Sequence, residues 1–137
     1  MTSSVEYNGD LRTTCTHLKS GNNFETDAPV DNNGKGERFS PTDLLATSLG
    51  TCMLTVMGIK ARTMGFDLND MKIEVLKIMK ADPRRAGGIN LTFHIPEKLV
   101  SIEEKTKNIL INTAETCPVI KSIHPDIEVN IDWGKWK

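Results

Sequence analysis

The chain has few aromatic residues, two Trp, one Tyr and four Phe among 137, and its net charge is only −1. No aromatic spacing makes a base-stacking platform, and Lys and Arg alternate with Asp and Glu instead of gathering into a basic block, so no nucleic-acid partner is expected. Residues 1–7 lack both a basic segment and an apolar core of the secretory kind. The most apolar stretch, 44–59, is shorter than a bilayer span needs and contains Thr47, Ser48, Thr51 and Thr55. A soluble, cytoplasmic protein without membrane contact is therefore expected. Only three cysteines are present, too few for a disulfide framework in such a compartment; they read as free, metal-bound or redox-active. There is no G-x-G-x-x-G, Walker loop, G-x-S-x-G or H-E-x-x-H. The run Asn33-Gly34-Lys35-Gly36 does not lead into a helix with phosphate-binding spacing, and no cofactor is expected.

The length suits one domain over 1–137, able to bury a core without disulfide staples. Residues 5–27 read as short extended segments, including a β-branched run at 12–18, a turn at 20–23 and a strand at 23–26. Residues 28–36 read as a loop. Ser40 is a natural N-cap, Pro41 suits the first helical position and Asp43 falls where a capping-box carboxylate belongs. The helix that follows should run to about Met64, with Gly65 as its stop. It is apolar on nearly every face, which predicts burial all round, with Gly50 and Gly58 permitting close approach of a neighbour. Alternation predicts strands at 71–78, 89–95 and 126–133, the first two joined by a hairpin loop over 82–88. In the second strand Ile89, Leu91, Phe93 and Ile95 share one face. Ser101 is expected to cap a helix ending near Glu115 that turns Ile102, Ile109, Leu110 and Thr113 inward. A short helix over 118–123 follows. Strands, a long helix, a hairpin, helices and a last strand make an α+β chain without repeating βαβ units.

Three cysteine settings carry the candidate chemistry. Cys52 lies in the long helix, where nothing within one turn supplies positive charge; read locally, it is a small buried hydrophobe. Thr116 or Cys117 caps the short helix, with Pro118 at its first position. There the Cys117 thiol either meets free backbone N–H groups that stabilise its thiolate, or merely caps and packs. Cys15 and His17 would project from one face of a strand as two metal ligands, but no second pair has ligand spacing. Arg84-Arg85 reads as a solvated hairpin tip.

Taken together, Phe39-Ser40-Pro41-Thr42-Asp43-Leu44-Leu45-Ala46, Leu49-Gly50-Thr51-Cys52 and Glu115-Thr116-Cys117-Pro118-Val119 resemble the OsmC/Ohr superfamily of osmotically inducible and organic hydroperoxide resistance proteins. Thr16-His17-Leu18-Lys19-Ser20-Gly21 and Thr26-Asp27-Ala28-Pro29 resemble its OsmC-like branch. The resemblance implies an intertwined homodimer of α+β subunits in which a partner covers the long central helix between antiparallel sheets. It also implies a peroxidase in which Cys52 attacks an organic hydroperoxide and becomes a sulfenic acid. Cys117 then condenses with it to a disulfide, and a dithiol, lipoylated in relatives, restores both thiols. Apolar surroundings would favour fatty or aromatic hydroperoxides. The family's peroxidases carry Pro-Glu where this chain has Pro41-Thr42, and that Glu holds the thiolate-stabilising arginine. Asp43 is one residue along, about 100° around the helix. Arg38, with Glu37 beside it to orient it, is the preferred candidate arginine, and Arg12 is the second choice. The missing Glu carries an alternative expectation: a non-catalytic binder of apolar molecules, or a thiol redox sensor.

Overall fold

In the computed structural model, which describes residues 1–137, contacts divide the chain into two units, Met1–Leu45 and Ala46–Lys137. The first is an antiparallel meander of β1 (Ser3–Gly9), β2 (Arg12–His17) and β3 (Asn23–Asp27). Asp10 and Leu11, at φ 53° and 61°, turn the chain between β1 and β2, and Gly21 at φ 77° serves the next reversal. The loop after β3 is tied back by its backbone. Ala28 N–H donates to Leu11 O (3.0 Å), Asp27 N–H to Phe39 O (3.1 Å) and Gly36 N–H to Ala28 O (3.2 Å).

Helix α1 (Pro41–Thr63) begins as its sequence predicts. Asp43 N–H donates to Ser40 Oγ (3.1 Å) while Ser40 N–H donates to Asp43 Oδ2 (2.9 Å), a reciprocal capping box. At the other end Phe66 N–H reaches Ala61 O (3.1 Å) past Gly65, whose φ of 86° needs no Cβ to be accommodated. Burial all round is not what the chain shows. Ala46, Leu49, Gly50, Met53, Met57 and Ala61 recur at helical spacing on one buried face, whereas Leu45 is 38% and Ile59 59% exposed. A helix of this length and composition meets the size requirement of a membrane span, but the same pattern belongs to core helices, and Leu49, Met53, Met57 and Ala61 are each 0% exposed. A Cβ on Gly50 would lie 3.1 Å from Val75 Cγ2, so the expected close approach is real there; at Gly58 nothing lies within 4 Å.

The second unit continues with β4 (Lys72–Lys80) and β5 (Arg85–His94), paired antiparallel, and β6 (Glu128–Asp132), paired parallel to β5. Parallel pairing needs a crossover, and α2 (Glu97–Val100), α3 (Glu104–Glu115) and α4 (Pro118–Ser122) supply it. Ile89, Leu91, Phe93 and Ile95 line the buried face, as their alternation predicts. The hairpin is tighter than expected. Residues 85–88 belong to β5, and Arg85, exposed like Arg84, closes the turn with Nη1 donating to Ala81 O (3.0 Å) and Pro83 O (2.8 Å). Ser101 does not cap α3. Pro96 starts an additional single-turn helix, α2, which Ser101 ends, so α3 begins only after Glu103.

After β6, Trp133 stacks on Phe93 with ring centroids 4.1 Å apart, and Trp136 Nε1 donates to Leu99 O at 2.9 Å. Gly134 between them has φ 56°, and a Cβ there would come within 2.6 Å of Phe93 O. Both the left-handed backbone and the clash oppose any side chain. Gly134→Ala is expected to destabilise the fold by about 1–3 kcal/mol in urea unfolding.

Candidate redox site

Two helices of the second unit bring Cys52 and Cys117 together. Cys52 sits in α1, a half-buried residue on the edge of the core cluster. Cys117 is the N-cap of α4, at φ −64° and ψ 157°, with Pro118 at the first helical position. This settles the cap in favour of Cys117, because Thr116 instead terminates α3, its Oγ1 donating to Asn112 O at 2.8 Å. The Cys117 side chain is 1% exposed and belongs to the core with Leu110 and Ala114.

The two side chains lie close enough to interact electrostatically, and both cysteines are free. Burial pushes the Cys117 thiol above its ordinary pKa. Ile120 N–H opposes this as a backbone donor, the neighbouring Cys52 raises the pKa further, and Val119 N–H lowers it. The sulfur sits at the amino end of α4 without a side-chain cap hydrogen bond, and desolvation outweighs what the helix end supplies. The local argument for easy ionisation of Cys117 therefore fails. It correctly saw the cap but could not see that the core closes over the sulfur.

Arg12 and Arg38 lie in the first unit. Arg12, in register with Asp27 across β2 and β3, grips both oxygens of that carboxylate, Nε to Oδ1 at 2.7 Å and Nη2 to Oδ2 at 2.8 Å. Nη2 also reaches Glu37 Oε1 at 3.3 Å. Asp27 is 1% exposed, and Glu37 N–H donates to its Oδ2 at 3.1 Å. The Arg12 guanidinium, helped by that N–H, holds the Asp27 carboxyl at about 2. Arg38 is more exposed and pairs with Glu25 at 3.3 Å. Glu37 does not orient Arg38 with its carboxylate, which goes to Arg12; only its carbonyl accepts from Arg38 Nη1, at 3.1 Å.

Asp27 was not singled out as a charge partner in the sequence. The signal was available in strand register, since a strand continued by one residue beyond Thr26 places Asp27 opposite Arg12. Thr42 lies within 3.4 Å of Ser40 Oγ, oxygen to oxygen, in the first turn of α1. Cys15 and His17 do share a strand, but His17 Nδ1 is 2.7 Å from Ser20 Oγ and no group of three potential metal ligands is assembled.

Two neighbouring thiols of unequal burial, on an α+β frame with two three-stranded sheets and one long helix, define a candidate dithiol protein. The model of the OsmC-like protein family matches residues 34–132, and the chain belongs to that family. A protein from Psychrobacter arcticus 273-4, provisionally described as an osmotic stress induced and detoxification response protein, is 55% identical. Its structure has a TM-score of 0.91, with 96% of this chain and 94% of that one covered. The organic hydroperoxide resistance protein OsmC from Legionella pneumophila shares the fold at 18% identity, TM-score 0.70, with 96% of each chain covered. The organic hydroperoxide resistance protein OhrB of Bacillus subtilis does so at 18% identity, TM-score 0.64, covering 96% of this chain and 97% of that one. No curated protein matches the sequence.

Proposed function

We propose that the protein is a cytoplasmic, thiol-dependent peroxidase that reduces organic hydroperoxides. The observation that carries this reading is the neighbouring Cys52–Cys117 pair, with one residue half-buried and the other closed in the core. Cys52 is the peroxidatic thiol. Its thiolate takes the distal oxygen of the hydroperoxide, an alcohol leaves, and a sulfenic acid forms. Cys117 attacks that sulfur, expels water and closes the disulfide, and a dithiol, with a lipoyl group as the candidate carrier, reopens it. The protein works as a homodimer, a reading supported by the apolar residues Leu45 and Ile59 left uncovered on α1. The test is consumption of cumene hydroperoxide with dihydrolipoamide or dithiothreitol. Sustained turnover is the expected result. Rapid loss of two thiols without turnover replaces the peroxidase with a redox sensor, and inert thiols with a retained apolar ligand replace it with a binder.

Arg12 is assigned as the thiolate-stabilising arginine in preference to Arg38. Support comes from its being held: Asp27 and Glu37 supply the carboxylates that the family draws from the position of Thr42. Arg12→Ala is expected to slow the first reaction of Cys52 with cumene hydroperoxide by roughly 10- to 100-fold at pH 7, with the rate recovering as pH rises. Arg38→Ala, which breaks an exposed pair, should change it by less than about threefold. Stopped-flow measurement of the oxidation step across pH separates the two.

A further inference from the structure

We propose that the outer face of the β4–β5 hairpin docks on an anionic lipid bilayer, with Leu76 and Ile78 entering the interface and Lys80 and Arg85 meeting lipid phosphates. The proposal goes beyond the peroxidase reading and does not depend on it. The sequence offers no membrane span, and a contact at the membrane surface needs none.

Strand alternation gives β4 two faces. Ile73 and Val75 are turned to α1, where both lie within 4 Å of the place a Gly50 Cβ would take. Leu76, Ile78 and Lys80 therefore point the other way. On that face Leu76 stays 59% and Ile78 41% exposed. Across the ladder they meet Asn90 and Gly88, and Gly88 has no side chain with which to shield Ile78. A second copy that covers Ile59 of α1 approaches from the opposite side of the sheet.

The charges on this face sort by position. At one end Glu74 is compensated by Lys72 Nζ and His94 Nε2, each at 3.0 Å. On β6 Glu128 accepts from Asn130 Nδ2 at 3.3 Å and Asp132 from Gly134 N–H at 2.8 Å. Those two carboxylates are separated from β4 by the width of β5. At the other end Lys80 and Arg85 stand directly opposite each other in register. Like charges so placed repel. Arg85 Nη1 donates only to the uncharged carbonyls of Ala81 and Pro83, and no ion pair includes Lys80 or Arg85. A Cβ on Gly87 would run into the Lys80 stem, so this glycine lets the lysine lie flat on β5. Over residues 72–94, Lys72, Lys77, Lys80, Arg84 and Arg85 outweigh Glu74 and Asp82, a net charge of +3 in a chain of net −1.

An uncompensated cation pair beside two exposed aliphatic side chains suits a surface that is anionic outside and apolar beneath. Nucleic acid would use the cations but leave Leu76 and Ile78 in water, and this face carries no Phe, Tyr or Trp for stacking. Two aliphatic side chains are also too little for a stable protein interface, which buries more than about 1,000 Å². A bilayer adds the long-range attraction of its whole surface to a small apolar contact, and each cation near it is worth about fivefold in partitioning.

The experiment floats the full chain, kept reduced with dithiothreitol, with vesicles of phosphatidylcholine alone or with about 30% phosphatidylglycerol. At about 100 mM NaCl at least tenfold more protein is expected on the anionic vesicles, falling at least threefold at about 500 mM. Lys80→Gln keeps the stem, breaks no ion pair and should lose about fivefold. Leu76→Thr with Ile78→Thr retains strand-forming residues and every cation, and should also lose at least fivefold. Lys105→Gln, which removes an exposed cation of α3, should change binding by less than twofold. Equal binding to both vesicles overturns the proposal, as does a loss in Lys80→Gln or in the double threonine variant no larger than in Lys105→Gln. Binding to poly-glutamate without binding to vesicles overturns it in favour of an acidic protein. A lower mass of the double threonine variant in lipid-free sedimentation overturns it in favour of a second copy on this face. The reaction of Cys52 with peroxide in solution is untouched by any of these results.

Discussion

Cys52→Ser is expected to abolish turnover of cumene hydroperoxide, with a loss of roughly a thousandfold or more, because a serine hydroxyl cannot form the sulfenic acid on which the cycle depends. Cys117→Ala should behave differently. Cys52 still meets the peroxide, so the first equivalent is consumed at close to the rate of the unaltered chain. The sulfenic acid then has no neighbouring thiol. It persists long enough to be trapped by dimedone, and further peroxide drives it to the sulfinic acid, which ends activity. The contrast rests on position. Cys52 is the half-buried member of the pair and Cys117 lies behind it at 1% exposure, so only one sulfur is placed to meet a substrate from outside. Alanine rather than serine is the cleaner change at Cys117, because a hydroxyl there would replace a sulfur at the N-cap and change the α4 hydrogen bonds as well. Stopped-flow oxidation followed by intact-mass measurement distinguishes the variants. Sustained turnover by Cys52→Ser, or unchanged resistance to over-oxidation in Cys117→Ala, would contradict the assigned roles.

What could be read from the sequence was whatever is decided within a few residues. Ser40, Pro41 and Asp43 announce the start of α1, because a capping box is a local hydrogen-bond exchange. Ile89, Leu91, Phe93 and Ile95 announce a half-buried strand, because strand side chains alternate. Cys117 announced a helix cap for the same reason. What could not be read depends on distant partners. The direction of the Cys117 shift turned on the core that closes over it, and no window of nearby residues contains that information. The destination of the Glu37 carboxylate depended on where β2 runs, so adjacency to Arg38 in sequence was a poor guide. The parallel pairing of β6 with β5 was invisible for the same reason, since alternation reports burial and not strand direction. Burial of α1 all round was inferred from composition, whereas one chain covers only the face that carries Leu49, Met53 and Met57. Family resemblance contributed the cooperation of Cys52 with Cys117, which spacing alone did not supply; the structure then brought the two thiols into contact.

The second large effect is expected at Asp27. Asp27→Asn keeps the size of the side chain but removes the charge that both Nε and Nη2 of Arg12 meet. The remaining guanidinium, only 20% exposed, then has Glu37 at 3.3 Å as its carboxylate partner. Breaking one side of a buried pair leaves a desolvated charge poorly compensated, which is more costly than losing an exposed ion pair. The melting temperature at pH 7 should fall by several degrees, and hydrogen exchange should accelerate in the segment 28–39 that Asp27 anchors through Glu37 and Phe39. The pH dependence identifies the cause. The Asp27 carboxyl is held at about 2 in the folded protein, below its ordinary value of 3.8. Its contribution to stability is therefore fully present above about pH 4 and is lost as pH falls through 2. Asp67 and Glu74 are also held below their ordinary values, by Lys98 and by His94 with Lys72, but these groups are exposed and unchanged in the variant. Their effects cancel in a difference. The gap in melting temperature between the unaltered chain and Asp27→Asn should thus hold steady from pH 7 to pH 5 and shrink by more than half between pH 4 and pH 2. A gap that stays constant down to pH 2 would show that Asp27 acts through packing and not through its charge on Arg12.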